Sequence, residues 1–259
     1  MILWHGAAVL AAGAAAGLIN TVVGSGTLIT FPTLLALGYP PVTANVSNNI
    51  GLVFGSVTGT VGYRRELAGT RPLLARLVPA SLAGGVVGAV LLLRLPAGAF
   101  RAIVPLLITL ALVLVVVQPR IAAATAARRE RDGTAAPAGV SPLVQVATMG
   151  AGIYGGYFGA AQGVLLVGLL GAMLAESLQR VNGIKNLLAA VVNGVAAVTF
   201  LLVAPHRVDW PVVGLIAVGS VLGGVLGAGV GRRLPPRVLR AVIVTVGVVA
   251  VTRLVAGLA

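Results

Sequence analysis

The chain has no cysteine, so disulfides, thiolate metal sites and Cys-based redox motifs are excluded. Charge is scarce. Only 9% of the 259 residues are Asp, Glu, Lys or Arg, against about 25% in an ordinary soluble domain. So few charges cannot cover a surface that faces water. Carboxylates are rarer still. Glu66, Glu130, Asp132, Glu176 and Asp209 all lie in loops or at the ends of apolar runs. Carboxylates within membrane segments mark proton relays and cation paths, and their absence disfavours a carboxylate-driven cation exchanger and favours an anionic or neutral substrate. The motifs HExxH, GxSxG and Walker A are also missing. His5 and His206 stand at segment ends and read as interfacial residues. The expectation is no enzyme, no cofactor and no metal.

What is present is apolar and repeated. Hydrophobic residues make up 58% of the chain, and 36 glycines accompany them. Apolar runs cover about 3–38, 41–62, 73–93, 98–117, 142–174, 182–204, 211–231 and 237–257. Runs of this length read as membrane spans, and the glycines suit closely packed helices. Met1 to Asn20 has no basic n-region and reads as the first membrane segment rather than a cleaved signal. Ser81-Leu82-Ala83-Gly84-Gly85-Val86-Val87-Gly88 returns 139 residues later as Ser220-Val221-Leu222-Gly223-Gly224-Val225-Leu226-Gly227. At the same spacing Arg94-Leu95-Pro96 returns as Arg233-Leu234-Pro235, and Arg101-Ala102 as Arg240-Ala241. Duplicated halves in an apolar chain are a mark of secondary transporters, whose site lies between the halves. The expected organisation is a first transmembrane repeat, 1–117, a basic cytoplasmic linker, 118–141, and a second repeat, 142–259.

The first run of each half is too long for one span of about 20 residues. Run 3–38 is interrupted by Gly24-Ser25-Gly26-Thr27, and run 142–174 by Gly159-Ala160-Ala161-Gln162-Gly163. Each break leaves a piece about half as long as a span, as in a broken or re-entrant element. Charge chooses between topologies. If each long run crosses once, the 18 basic residues divide 8 to 10 across the membrane, with no bias. If each long run turns back, 14 fall on one side and only Arg94, Arg101, Arg207 and Arg253 on the other. The positive-inside rule selects the second arrangement. Each half then makes an odd number of crossings, the repeats are inverted, and both termini face outward. The fold class expected is an all-α polytopic membrane protein with about eight hydrophobic segments in two inverted repeats, the first segment of each half broken or re-entrant. The net charge of +13 fits this anchoring pattern rather than a nucleic-acid-binding face.

Polar residues that enter the membrane gather near the two breaks. The first half has Asn20, Ser25, Thr27, Asn45, Ser47, Asn48 and Asn49; the second has Gln162, Asn182, Lys185, Asn186 and Asn193. Asn45/Asn49 superpose on Asn182/Asn186, each pair at i,i+4 on one helix face. Helix N-termini offer unpaired N–H groups and partial positive charge, and amide groups add donors. An oxyanion pocket is expected from Asn20, Gly24, Ser25, Gly26, Thr27, Asn45, Asn49, Gly159, Gln162, Gly163, Asn182, Lys185 and Asn186. Lys185 has two readings, an anchor that snorkels to the basic side and a counter-charge to the anion. Asparagines near helix starts also cap or glue helices. Tyr154 and Tyr157 read as packing or belt residues, and Trp4 and Trp210 as interface anchors.

The sequence Gly-Leu-Ile-Asn-Thr-Val-Val-Gly-Ser-Gly-Thr at 17–27, followed by Phe31-Pro32, resembles the opening of the sulfite exporter TauE/SafE family. So do its echo at 152–163 and the segment Arg180-Val181-Asn182-Gly183-Ile184-Lys185-Asn186. The resemblance covers about residues 8–256. It implies a bacterial inner-membrane permease of about eight segments that moves small sulfur-containing or organic anions such as sulfite, sulfonates and sulfoacetate. Thr27 and Ala161-Gln162 interrupt what is often a longer glycine run in the family, and Val167 stands where the first half has Pro32. These departures bear on the particular substrate. The partners expected are the lipid bilayer and a small anion, with protons as a candidate coupling ion, and no nucleic acid. The other readings are a channel for a small solute and an accessory membrane subunit with no transport of its own.

Overall fold

The computed structural model describes residues 3–132, 140–174 and 176–229, together with positions 241, 243–246, 248, 249 and 252. Among the described residues every regular element is helical. The helices are α1 (Leu3–Val22), α2 (Thr27–Ala36), α3 (Pro41–Gly62), α4 (Arg71–Arg94), α5 (Ala97–Asp132), α6 (Pro142–Tyr157), α7 (Gln162–Met173), α8 (Leu178–Val203) and α9 (Trp210–Gly229). Most of the eighth apolar run, and the repeated Arg233-Leu234-Pro235 and Arg240, lie outside the described residues. Helix α5 does not end with its apolar run at 117. It continues to Asp132, so the first part of the expected linker is helical.

Helices within 4–22, 71–94, 98–117, 178–203 and 210–229 are long and apolar enough to cross a membrane. Their outward side chains are hydrocarbon. Leu106, Val113, Leu202, Val218 and Val225 are each at least half exposed. Contiguous apolar surface on this scale needs a cover, and for helices of this length lipid is that cover. Helix α3 is as long but differs in composition. It carries Asn45, Ser47, Asn48, Asn49 and Ser56, all buried, so it is an interior element with polar contacts on several sides.

Glycine decides which helices meet. A Cβ on Gly84 or Gly88 of α4 would collide with the α6 backbone at Met149 and Ile153. A Cβ on Gly219 or Gly223 of α9 would collide with the α1 backbone at Leu10 and Ala14. The two recurring glycine stretches are therefore close-packing faces, as expected of small residues between membrane helices. Their partners lie in opposite halves: α4 of the first half packs on α6, and α9 of the second half packs on α1. In both pairs the contacts advance together along the chain, so each pair is parallel. Helices α3 and α8 instead run antiparallel. Tyr63, at the end of α3, meets Asn182 near the start of α8, while Asn49 and Ser56 meet Asn193 farther along.

Candidate functional site

Both long apolar runs break, and they break in the same manner. At the end of α1, Val23 N–H donates to Ile19 O at 2.7 Å and Gly24 N–H to the same oxygen at 3.0 Å. At the end of α6, Phe158 N–H donates to Tyr154 O at 3.0 Å and Gly159 N–H to it at 3.3 Å. Gly24 has φ +92° and Gly159 has φ +79°. That left-handed turn suits glycine and ends a helix by folding its last amide back one residue too far. The chain then restarts as α2 and α7, of 10 and 12 residues. Neither half-helix has a side chain capping its N-terminus, although Ser141 caps α6 and Ser177 caps α8. Ala161, just before α7, sits at φ +60°, a conformation an L-residue adopts only under strain.

The two breaks touch. Gly163 N–H donates to Gly24 O at 3.0 Å, and a Cβ on either glycine would overlap the backbone of the other. A Cβ on Gly159 would come within 3.6 Å of Thr27 Oγ1. The starts of the two half-helices therefore lie side by side.

A break leaves carbonyls at the end of the first helix without intrahelical partners. In this protein side chains from the other half satisfy them. Lys185 of α8 is fully buried, and its Nζ donates to Asn20 O at 2.9 Å and Thr21 O at 3.1 Å, at the end of α1. Asn186 Nδ2 donates to Thr21 O at 3.2 Å. Reciprocally, Asn45 of α3 donates through Nδ2 to Tyr157 O, the last residue of α6, at 3.0 Å. A positive ammonium is well placed at the negative end of a helix dipole. Lys185 is thus no snorkelling anchor. Its stem runs beside the Gly24–Gly163 contact and its charge ends inside the protein.

A second set of polar contacts joins α1, α3 and α8. Asn49 Nδ2 donates to Asn193 Oδ1 at 3.5 Å, Asn193 Nδ2 to Ser56 Oγ at 3.0 Å, and Asn20 Nδ2 to Ser56 Oγ at 3.3 Å. Asn48 bridges to α2, donating to Thr27 Oγ1 at 3.3 Å and accepting from Thr30 Oγ1. Polar atoms beside the breaks remain without partners. They include the donors Ser25 Oγ and Gln162 Nε2, and the acceptors Asn45 Oδ1 and Asn49 Oδ1. Ser25 is fully buried and Gln162 nearly so. A buried donor left unpaired is costly, and two such donors at the starts of facing half-helices are what an oxyanion would satisfy.

The site is enclosed on several sides. Phe31 of α2, Phe100 of α5 and Phe158 of the second break form an edge-to-face cluster, with Phe31–Phe158 ring centroids 5.2 Å apart and Tyr157 against Phe100 at 5.7 Å. Aromatic edges packed on faces make a cohesive apolar seal. Asn182 Nδ2 donates to the buried Tyr63 hydroxyl at 2.8 Å. Nearby, Arg180 donates to Ala68 O at 3.1 Å and pairs with Glu176 at 3.0 Å. At the opposite end of α3 and α8, the Asp209 amide donates to Ser47 Oγ at 2.9 Å while its carboxylate caps α9 at Val212 N–H. There, burial and then the Asp209 carboxylate push the Tyr39 phenol above its ordinary range.

Of the thirteen residues expected to form the pocket, all but Asn182 lie in the breaks or in the polar contacts beside them, in unequal roles. Gly24, Ser25, Gly26, Thr27, Gly159, Gln162 and Gly163 make the two breaks. Lys185 and Asn186 hold the end of α1, and Asn45 holds the end of α6. Asn20 and Asn49 belong to the network that joins the helices. Asn182 points its amide to Tyr63 on the loop end of α3. Other participants were not among the expected site residues: Thr21, Thr30, Asn48, Ser56, Tyr63, Tyr157 and Asn193. The spacing of 137 that superposes Asn45/Asn49 on Asn182/Asn186 also sets Asn48 against Lys185 and Ser56 against Asn193. That register was the available signal. Tyr63 and Thr21 had none.

Known proteins add to this geometry. A family model described as "Sulfite exporter TauE/SafE" matches residues 9–254. The chain is 25% identical to the "Probable membrane transporter protein YfcA" of Escherichia coli (strain K12) over 234 residues, 90% of this chain and 83% of that protein. It is 39% identical to the "Probable membrane transporter protein ORF9" of a Sinorhizobium species over 100 residues, 38% of each chain. No solved structure matches.

Proposed function

The chain belongs to the sulfite exporter TauE/SafE family, and from that premise we propose that this membrane transporter carries a small oxyanion by alternating access. The observation that carries the reading is the pair of facing half-helix starts, both without a side-chain cap, with Ser25 Oγ and Gln162 Nε2 buried and unpaired beside them. Backbone amides at such starts bind anions with no fixed charge of their own. Several amide donors that the sequence offers to an anion are engaged inside the protein: Asn45, Asn186 and Gly163 all hold backbone carbonyls. The first-turn amides of Leu28, Ile29 and Gln162 likewise hold backbone carbonyls, so the anion's share is Ser25 and Gln162, with the positive ends of the two half-helix dipoles behind them. Thr27 and Asn49 flank them.

The substrate class follows from the donors and from the charge. A group with several oxygens, small enough for a site lined by glycine, suits hydroxyl and amide donors. Sulfite and small sulfonates have that chemistry, and carboxylates share it in part. The two halves would act as inverted repeats, and the reciprocal packing of α4 on α6 and α9 on α1 supports that reading. Rocking of one half on the other would part the Gly24–Gly163 contact and expose the site. The place is a bacterial inner membrane, crossed several times, with both termini outside.

The test is uptake of radiolabelled sulfite into proteoliposomes, with sulfoacetate, taurine, sulfate and thiosulfate as competitors. Saturable uptake that falls in Ser25→Ala and Gln162→Ala is expected. Absence of uptake of every sulfur anion, by protein shown to be folded, would overturn the substrate class.

A further inference from the structure

The most unusual group in the molecule is the ammonium of Lys185. It is fully buried, and among the described residues no carboxylate pairs with it. Its acceptors are main-chain carbonyls, Asn20 O at 2.9 Å and Thr21 O at 3.1 Å. These belong to the end of a helix broken at Gly24, and Thr21 O is shared with Asn186. Broken helix ends whose carbonyls converge within a membrane protein are the usual seat of a coupling cation in secondary transporters. Here a side chain already fills the seat.

We infer that Lys185 is a tethered counter-cation: the end of α1 is a monovalent-cation site permanently occupied by its ammonium, so that the carrier takes up its anion without sodium. Three observations converge on it. The carbonyls and the dipole of α1 supply negative potential at one point. The Lys185 stem is held by close contact with the Gly24–Gly163 junction, within 3.1 Å of where a Cβ on Gly24 would stand. An ammonium has three protons, and the two carbonyls take two of them. The third N–H is the one a substrate oxygen near the junction would accept. The positive charge thereby serves the helix end when the site is empty and both helix end and anion when it is filled. A carboxylate in the same place would defeat this, and all five acids of the chain stand at loops or segment ends.

The inference rests on the transporter reading only for its flux arm; its binding arm does not. Lys185→Ala removes Cγ, Cδ, Cε and Nζ, the atoms of propylammonium. In purified full-length Lys185→Ala protein, propylammonium chloride should raise the thermal midpoint by about 2–4 °C relative to choline chloride, since a ligand that binds only the folded state stabilises it. Wild-type protein should show no such difference, because its site is filled. Propanol, which has the shape but no charge, should not substitute. In proteoliposomes, wild-type flux should be the same in sodium and in choline media. Lys185→Met, which keeps the stem and loses the charge, should lose flux about tenfold or more, the loss of one charged hydrogen bond. Three results would overturn the inference. One is folded Lys185→Ala that responds to neither propylammonium nor sodium. Another is Lys185→Met with wild-type flux. The third is wild-type flux that depends on sodium. If no anion is transported at all, the thermal measurement still decides whether the cation site exists.

Discussion

Gly24 and Gly159 end their helices by the same turn, yet their surroundings differ, and so should their tolerance of a methyl group. At Gly24 a Cβ would overlap Gly163 and the left-handed φ adds its own cost. Gly24→Ala should destabilise the protein by about 3 kcal/mol or more. At Gly159 the nearest atom to a Cβ is Gly155 O at 3.3 Å, which a small shift relieves, so Gly159→Ala should cost mainly the conformational strain, about 1–2 kcal/mol. Thermal unfolding of the two purified variants should rank them in that order; equal losses would mean that the breaks do not touch as described. Ser25 allows a cleaner separation of binding from folding. Its hydroxyl is buried without a partner, so Ser25→Ala should not destabilise the protein and should stabilise it by up to about 1–3 kcal/mol, while raising the half-saturating anion concentration about tenfold. A variant that keeps its affinity would remove Ser25 from the site.

At the scale of elements, a glycine at a helix–helix contact and a glycine in open space have opposite expectations. Gly223 stands against the α1 backbone, where a Cβ would collide with Ala14. Gly223→Ala should cost about 1–3 kcal/mol by forcing α9 away from α1. Gly194 on α8 has open space around it, and Gly194→Ala should stabilise by about 0.5–1 kcal/mol through helix propensity alone. Midpoints of thermal unfolding in detergent check both, and a gain at Gly223 would contradict the α1–α9 packing. The helix breaks themselves were readable from run length and glycine placement, because a membrane span has a fixed length and Gly24 and Gly159 supply the turn. The extent of α5 was not readable in the same way. Hydropathy falls at 118, but the Ala- and Arg-rich stretch that follows favours helix on propensity. Hydropathy measures burial in lipid and says nothing of whether a polar stretch continues as helix.

For the whole molecule the open quantity is orientation. The chain has no cysteine, so each introduced thiol reports one place. Thiols at 65 and 180 should be labelled only from the cytoplasm, and thiols at 39 and 207 only from outside. The structure already sets the first pair near one another, with Arg180 on Ala68 O, and sets Tyr39 beside Asp209 at the other end of α3. Labelling of 65 and 207 from the same side would refute the inverted arrangement that the basic residues favour.

Composition and pattern alone determined that this chain is helical, that its solvent is lipid, that its two long runs break at glycine and that polar residues gather beside the breaks. These follow from local physics: a scarcity of charge, the length of a span and the φ that glycine permits. Which polar atom faces which was decided only by the tertiary structure. Asn45 and Lys185 each find their acceptors across the molecule, on Tyr157 and on Asn20 and Thr21. A carbonyl freed by a break must find a donor, but the sequence carries no record of which helix will bring it. That choice was made when α4 packed on α6 and α9 on α1, through glycines that admit no side chain between them.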